Sequence, residues 1–140
     1  MVKSIAIVGG SSDIAKSTIS SMSADNYKFH VLVRDDSHTD ELSALGVSVV
    51  LGDATSEMDI KNFISGVKES GEIHAILHCV GSFAVRPPHA MNKEAFETVI
   101  STNLTSAFLT LSIAGKAMLC LLYTSPSPRD ATLSRMPSSA

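Results

Sequence analysis

Ser4-Ile5-Ala6-Ile7-Val8-Gly9-Gly10-Ser11-Ser12-Asp13-Ile14-Ala15 is the stretch that decides how this chain is read. Ser4 to Val8 is too short for a helix, and it has no apolar/polar alternation that would mark a half-exposed strand. It is therefore predicted to be a strand buried on both faces of a parallel sheet. Gly9 and Gly10 then turn the chain, and Ser11 or Ser12 supplies the side-chain oxygen that caps a helix starting near Asp13. Ile14, Ile19 and Met22 are predicted to carry that helix onto the sheet. Strand, glycine turn and helix together make half of a βαβ unit.

The same alternation runs outward from this unit. Phe29 to Val33 reads as a second strand, Thr39 to Leu45 as a short helix stopped by Gly46, and Val47 to Leu51 as a third, β-branched strand. Met58, Ile60, Phe63, Ile64 and Val67 form a helical stripe within Glu57 to Lys68, and Ile73 to Val80 returns to a strand that ends at Gly81. Ser82 to Ala90, with Pro87-Pro88, is a loop, after which Asn92 caps a long helix through Phe96, Val99 and Ile100. Leu104, Phe108 and Leu111 continue its apolar face toward Leu119, with a bend expected where the Asn103 side chain bonds locally. Strands alternating with helices predict a doubly wound α/β sheet.

Composition narrows the function classes. The 140 residues suit one domain, and 44% hydrophobic with 18% charged residues suits a globular protein. A net charge of −3 lacks the basic excess that nucleic-acid binding requires. Cys79 and Cys120 form no Cys-x-x-Cys pair, and His30, His38, His74, His78 and His89 show no ligand spacing, so neither a disulfide framework nor a metal site is expected. With no signal peptide, the expected setting is the cytoplasm. Leu109 to Tyr123 is interrupted by Lys116 and falls short of the ~20 apolar residues of a membrane span, so none is expected.

The last stretch breaks with this composition. Cys120 to Ala140, CLLYTSPSPRDATLSRMPSSA, holds three of the five prolines and no strand-helix unit. CLLYTSPSPRD resembles one reading frame of a transposase-type sequencing adapter, and SRMPSSA resembles its far end in the same frame. The expected division is residues 1–119 as the folded portion and 120–140 as a non-native tail; a natural Ser/Pro-rich tail is the other reading.

Val8 to Ala15 is similar to the Thr-Gly-x-x-x-Gly-x-Gly turn of the classical short-chain dehydrogenase/reductase family, with Gly9 at the first glycine and Asp13 and Ala15 replacing the other two. The resemblance covers Met1 to Leu119 and implies a Rossmann-like parallel sheet of order 3-2-1-4. It also implies that Gly9, Ser11, Ser12, Asp13 and Ile14 surround a dinucleotide pyrophosphate at a helix N-terminus. At the end of the second strand Val33 takes the family's acidic position and Arg34 the next. This implies NADP through a 2′-phosphate contact, with NAD as the alternative; Arg34 paired in solvent with Asp35 or Asp36 is the other reading. Asp53-Ala54-Thr55 resembles the segment that lines the adenine, although Thr55 or Ser56 also reads as a helix cap. His78-Cys79-Val80-Gly81 stands where the family has Asn-Asn-Ala-Gly, so Cys79, Val80 and Gly81 are implied cofactor neighbours. Cys79 also reads as a buried small hydrophobe, and His78 as a core or strand-end group.

Phe96-Glu97-x-Val99-Ile100 followed by Ser101-Thr102-Asn103-Leu104-Thr105-Ser106-Ala107-Phe108 resembles the family's long fourth helix and implies that Asn103 is the Asn of its catalytic tetrad. The other members of that tetrad are a Ser, a Tyr and a Lys whose ammonium lowers the Tyr pKa. No Tyr-x-x-x-Lys occurs, since Val31 follows Tyr27 at that spacing and Ser127 follows Tyr123. The family implies hydride transfer between NADP(H) or NAD(H) and a small carbonyl or alcohol substrate, by a parent protein that is a homo-oligomer; the present chain is expected to be inactive. Two other readings stand beside it. One is a non-catalytic NADP-binding regulator of related fold. The other is a response-regulator or flavodoxin-like domain, whose acidic cluster or flavin phosphate loop Gly9-Gly10-Ser11-Ser12 does not supply.

Overall fold

Ile5, Ala6, Ile7 and Val8 are each exposed by 2% or less, as a strand covered on both faces requires. The computed structural model describes residues 2–22 and 26–122 and places this strand, β1 (Lys3–Val8), near the middle of a parallel sheet of order β3-β2-β1-β4. β2 is Tyr27–Val33, β3 Ser48–Leu51 and β4 Ile73–His78. Ile5 lies opposite Phe29 on one side and Ala75 on the other. The connecting helices are α1 (Asp13–Ser21), α2 (Thr39–Ala44) and α3 (Glu57–Glu69). A 3-10 turn at Pro88–Ala90 follows β4. Then α4 (Lys93–Ile100), a π-helical turn at Ser101–Thr105 and α5 (Ser106–Leu122) run on as one long helix. The tail beyond Leu122, with most of the adapter-like sequence, lies outside the described residues.

The period-two geometry of the strands sorts the core into two layers. Ile5, Ile7, Phe29, Val31 and Val33 pack with Ala15, Ile19 and Leu42 of α1 and α2. Ala6, Val8 and Leu32 pack with Ile60, Phe63, Ile64 and Val67 of α3 and with Ala114 of α5. The helix caps are local: Ser12 Oγ accepts from the Ala15 N–H at 3.1 Å, Ser56 Oγ from Asp59 at 3.3 Å and Asn92 Oδ1 from Ala95 at 2.9 Å.

Several expectations are corrected. Ile14 points to solvent, and Ala15, one full turn before Ile19, takes the buried position expected of it; the i, i+4 pair shares a face that Ile14 leaves by about 100°. Met58 likewise points outward. On the long helix the inward face is Ser106, Thr110 and Ala114, while Leu104, Phe108 and Leu111 are about two-thirds exposed. The small inward residues let α5 lie close to β4 and α3, and their hydroxyls have partners there. β4 also ends two residues early: the Cys79 N–H makes a 2.8 Å bond to Val8 O, and Val80 then leaves the sheet. The 27-residue segment Lys93–Leu119 is long and apolar enough to cross a membrane by length and composition. Here its Ala114 side is packed into the core beside α3.

Two features predict measurable stability effects. A Cβ on Gly10 would overlap the Val31 side chain of β2, because α1 approaches the sheet at this point. Gly10→Ala is expected to cost ~2 kcal/mol in a denaturant titration, and less in a Val31→Ala background, because the overlap is shared. Buried His30 has its pKa lowered, first by desolvation and then by the charge of Lys28, and its Nε2 has no hydrogen-bond partner. The unfolded chain therefore takes up protons at His30 before the folded one does. Stability should be full above the ordinary value of 6.5 and fall as the pH drops from there through the lowered folded pKa. Thermal melts across this range should show the fall, and His30→Leu should reduce it, leaving the part that the likewise lowered pKa of His78 contributes.

Candidate cofactor cleft

The C-terminal ends of β1, β2 and β4 open onto one cleft of 420 Å³, at the point where the chain order reverses between β1 and β4. This is where doubly wound sheets hold their ligands, and the volume lies in the range of small-molecule sites. One wall is the turn after β1. Gly9 has φ +88°, and a Cβ there would stand 2.7 Å from Val80 Cγ2 and 2.8 Å from the Cys79 carbonyl carbon. Only glycine fits both the backbone angle and the approach. The N–H groups of Gly9 and Gly10 both bond Leu32 O, at 3.0 and 3.1 Å, so the turn is tied to β2 as well as pressed against the exit of β4.

The opposite rim carries the charge. Arg34 follows β2 directly and lines the cleft with Gly52, Asp53, Ala54 and Thr55. Two of the neighbouring carboxylates are held in their own turns. Asp35 Oδ1 accepts from both the N–H and the hydroxyl of Ser37, and these bonds lower its pKa. Asp53 Oδ1 accepts from the Thr55 N–H and hydroxyl, both at 2.8 Å; its pKa is lowered first by these bonds and then, after an opposing desolvation, by the charge of Arg34. Among the described residues the ion pairs are Lys16–Glu41, His38–Glu41, Lys61–Glu57 and Lys93–Glu97, and Arg34 is in none of them. The solvated pairing of Arg34 with Asp35 or Asp36 is therefore not formed.

The third wall is the exit of β4 against the long helix. Cys79, Val80, Gly81 and Ser82 line the cleft from one side, Thr98 and Thr102 from the other. Asn103 joins them from behind: its Nδ2 donates to Ser82 O at 2.7 Å and to Val99 O at 2.8 Å, and its Oδ1 accepts from the Ser82 N–H at 3.1 Å. Both amide protons and the carbonyl are used, which fixes the orientation of the side chain. At Asn103 the long helix passes through the π-helical turn. Ser106 N–H reaches back five residues to Ser101 O, and the Val99 and Thr102 carbonyls accept from the side chains of Asn103 and Ser106. A Cβ on Gly81 would meet Asn103 Oδ1 at 3.3 Å, a tight contact.

Of the residues singled out from the sequence, the fold brings Gly9, Ser11, Ser12, Arg34, Asp53, Ala54, Cys79, Val80 and Gly81 into one cleft. Asp13 and Ile14 lie outside it, on a shallow groove along the outer side of α1 with Ser17 and Thr18. Asn103 stands behind the wall. Sequence reading did not single out Leu32, Gly52, Ser82, Thr98 and Thr102 as lining residues. Thr98 and Thr102 are one helical turn apart on the face that reaches the cleft, a spacing that gains meaning only once the helix is placed. Among the described residues no cluster of His, Cys, Asp and Glu is arranged to hold a metal.

A sequence model of the short chain dehydrogenase family matches residues 3–123. The fold is similar to that of a short-chain type dehydrogenase/reductase from Mycobacterium ulcerans, with 22% identity and a TM-score of 0.75 over 84% of this chain and 47% of that one. A short-chain dehydrogenase/reductase from Brucella melitensis aligns at 20% identity and a TM-score of 0.76, over 83% of this chain and 52% of its own. ElxO with NADP bound aligns at 20% identity and 0.73, over 86% and 52%. The chain thus spans about half the length of these structures. A family match along nearly the whole folded portion, on a sheet of order β3-β2-β1-β4 with its cleft at the strand ends, places this chain in the short-chain dehydrogenase family.

Proposed function

We propose that this chain is the dinucleotide-binding portion of an oxidoreductase that moves hydride between NADP(H) and a carbonyl or alcohol carbon, with NAD(H) as the alternative cofactor. The observation that carries the reading is Arg34: a guanidinium on the cleft rim that is in no ion pair among the described residues, with Asp35 and Asp53 engaged in their own turns. A planar fork of donors in that position suits a ribose 2′-phosphate. The cradle at Gly9, which any Cβ would fill, fits a backbone that must come close to a pyrophosphate. When bound, the dinucleotide supplies the hydride. The chain's own residues hold it: the Ser11 and Ser12 hydroxyls and the start of α1 face the phosphates, Asp53 and Ala54 the adenine, and Cys79, Val80 and Gly81 the floor. Asp13 and Ile14 contribute only through the backbone N–H groups of the first turn.

Within these 140 residues no Tyr-x-x-x-Lys pair stands, so the proposed activity of the chain by itself is binding without turnover. The second reading is an NADP-binding regulator. Asn103, which grips Ser82 at the edge of the cleft, favours the enzyme. The exposed row Leu104, Phe108 and Leu111 belongs in this proposal to a contact with further polypeptide in a soluble, cytoplasmic homo-oligomer.

Fluorescence titration of the chain with NADPH and NADH tests the cofactor. NADPH should bind at least about tenfold more tightly, and Arg34→Leu should remove most of that preference, as expected for a charge-assisted contact. Equal affinities, or a preference unchanged by Arg34→Leu, would refute the assignment. Sequencing the source DNA past the codon of Leu119 tests the rest. A Ser followed by Tyr-x-x-x-Lys in frame supports the enzyme and the adapter origin of the tail, whereas a natural frame encoding Cys120 to Ala140 and then a stop supports the regulator.

A further inference from the structure

His78 is the last residue of β4, on the α5 side of the sheet, and it enters none of the roles above. Its Nε2 is 3.2 Å from Ser106 Oγ and its Nδ1 is 3.1 Å from Thr110 Oγ1, and both hydroxyl residues are fully buried. The proton positions follow from the partners. The Ser106 hydroxyl is 2.5 Å from Thr102 O and must donate there, because a carbonyl only accepts. The Ser106 oxygen is then the acceptor for the ring, so Nε2 carries the proton. In a neutral imidazole Nδ1 is left as an acceptor, filled by the Thr110 hydroxyl. Desolvation lowers the pKa of His78 and favours this neutral ring.

The location gives the chain of bonds a purpose. Ser106 closes the π-helical turn, and its side chain serves Thr102, which lines the cleft. Four residues on from His78, Ser82 is gripped by Asn103 at the other side of the same turn. The segment leaving β4 therefore runs antiparallel to the helix, clamped at both ends, and the residues between the clamps are Cys79, Val80 and Gly81.

We propose that His78, as the Nε2–H tautomer, is a positioning residue that holds the π-helical turn through Ser106 and so sets the distance between the two walls of the cleft at Cys79–Gly81 and Thr98–Thr102. The bond from Nε2 to Ser106 is the one that matters; the bond from Thr110 orients the ring.

Two measurements on the 140-residue chain test this. Nitrogen-15 spectra of the histidine rings should show His78 with its proton on Nε2 near neutral pH; a ring protonated on Nδ1 overturns the proposal. A Gln amide nitrogen reaches about as far as Nε2, and an Asn amide only about as far as Nδ1. In His78→Gln, hydrogen exchange at the amides of residues 101–106 should stay within about threefold of the unmodified chain, whereas in His78→Asn it should rise about tenfold, as the loss of one buried hydrogen bond implies. Equal exchange in the two variants overturns the proposal. NADPH affinity should follow the same order, a readout that rests on the cofactor reading above. If the unmodified chain binds no NADPH but the exchange rates still separate Gln from Asn, the cofactor reading fails and the role of His78 stands.

Discussion

The approach of the Gly9-Gly10 turn to its surroundings is the constraint on which the rest of the structure depends. Gly9 lies against Cys79 and Val80, Gly10 lies against Val31, and both N–H groups are tied to Leu32. One turn thus touches β2 and the exit of β4, and no side chain fits at either position. The order β3-β2-β1-β4, the start of α1 and the position of the cleft all meet there. α1 and α2 cover one face of the sheet and α3 and α5 the other, so the connections change face at β1/β4, where the cleft opens.

Around this point the polar groups are arranged so that most satisfy one another locally and a few are left facing the cleft. Asp35 and Asp53 each hold a residue two positions ahead, Ser12 and Ser56 cap helices, and Glu41 pairs with Lys16 across two helices. These bonds orient Asp35 and Asp53 toward their own turns. Arg34 thus stands at the rim in no ion pair among the described residues, although the whole chain carries −3, and the local placement of a charge governs recognition more than net charge does.

The long helix shows the cost and use of an inverted pattern. Its buried side is Ser106, Thr110 and Ala114, and its exposed side is Leu104, Phe108 and Leu111. Buried hydroxyls cost free energy unless paired, and here His78 and Thr102 pair them. The polar face is thus a means of fastening the helix to the end of β4 at a fixed register, which uniform apolar packing would do less specifically.

The sequence by itself determined the parallel α/β fold, because buried strands without alternation, β-branched runs and glycine turns have one economical arrangement. It also determined the cap at Asn92, narrowed the other two to Ser11 or Ser12 and Thr55 or Ser56, and marked most of the cleft, since these are set by local spacing and by positions at strand ends. Only the tertiary structure decided which faces the helices bury. Hydrophobicity identified Ile14, Leu104, Phe108 and Leu111, yet α1 and α5 turn other sides inward, because helix orientation follows shape and hydrogen bonding against a partner that a one-dimensional pattern does not contain. The same holds for Thr98, Thr102 and Ser82 in the cleft, and for the bonding of His78 to Ser106 and Thr110. Residues 28 and 32 positions apart meet only when β4 and α5 are laid side by side.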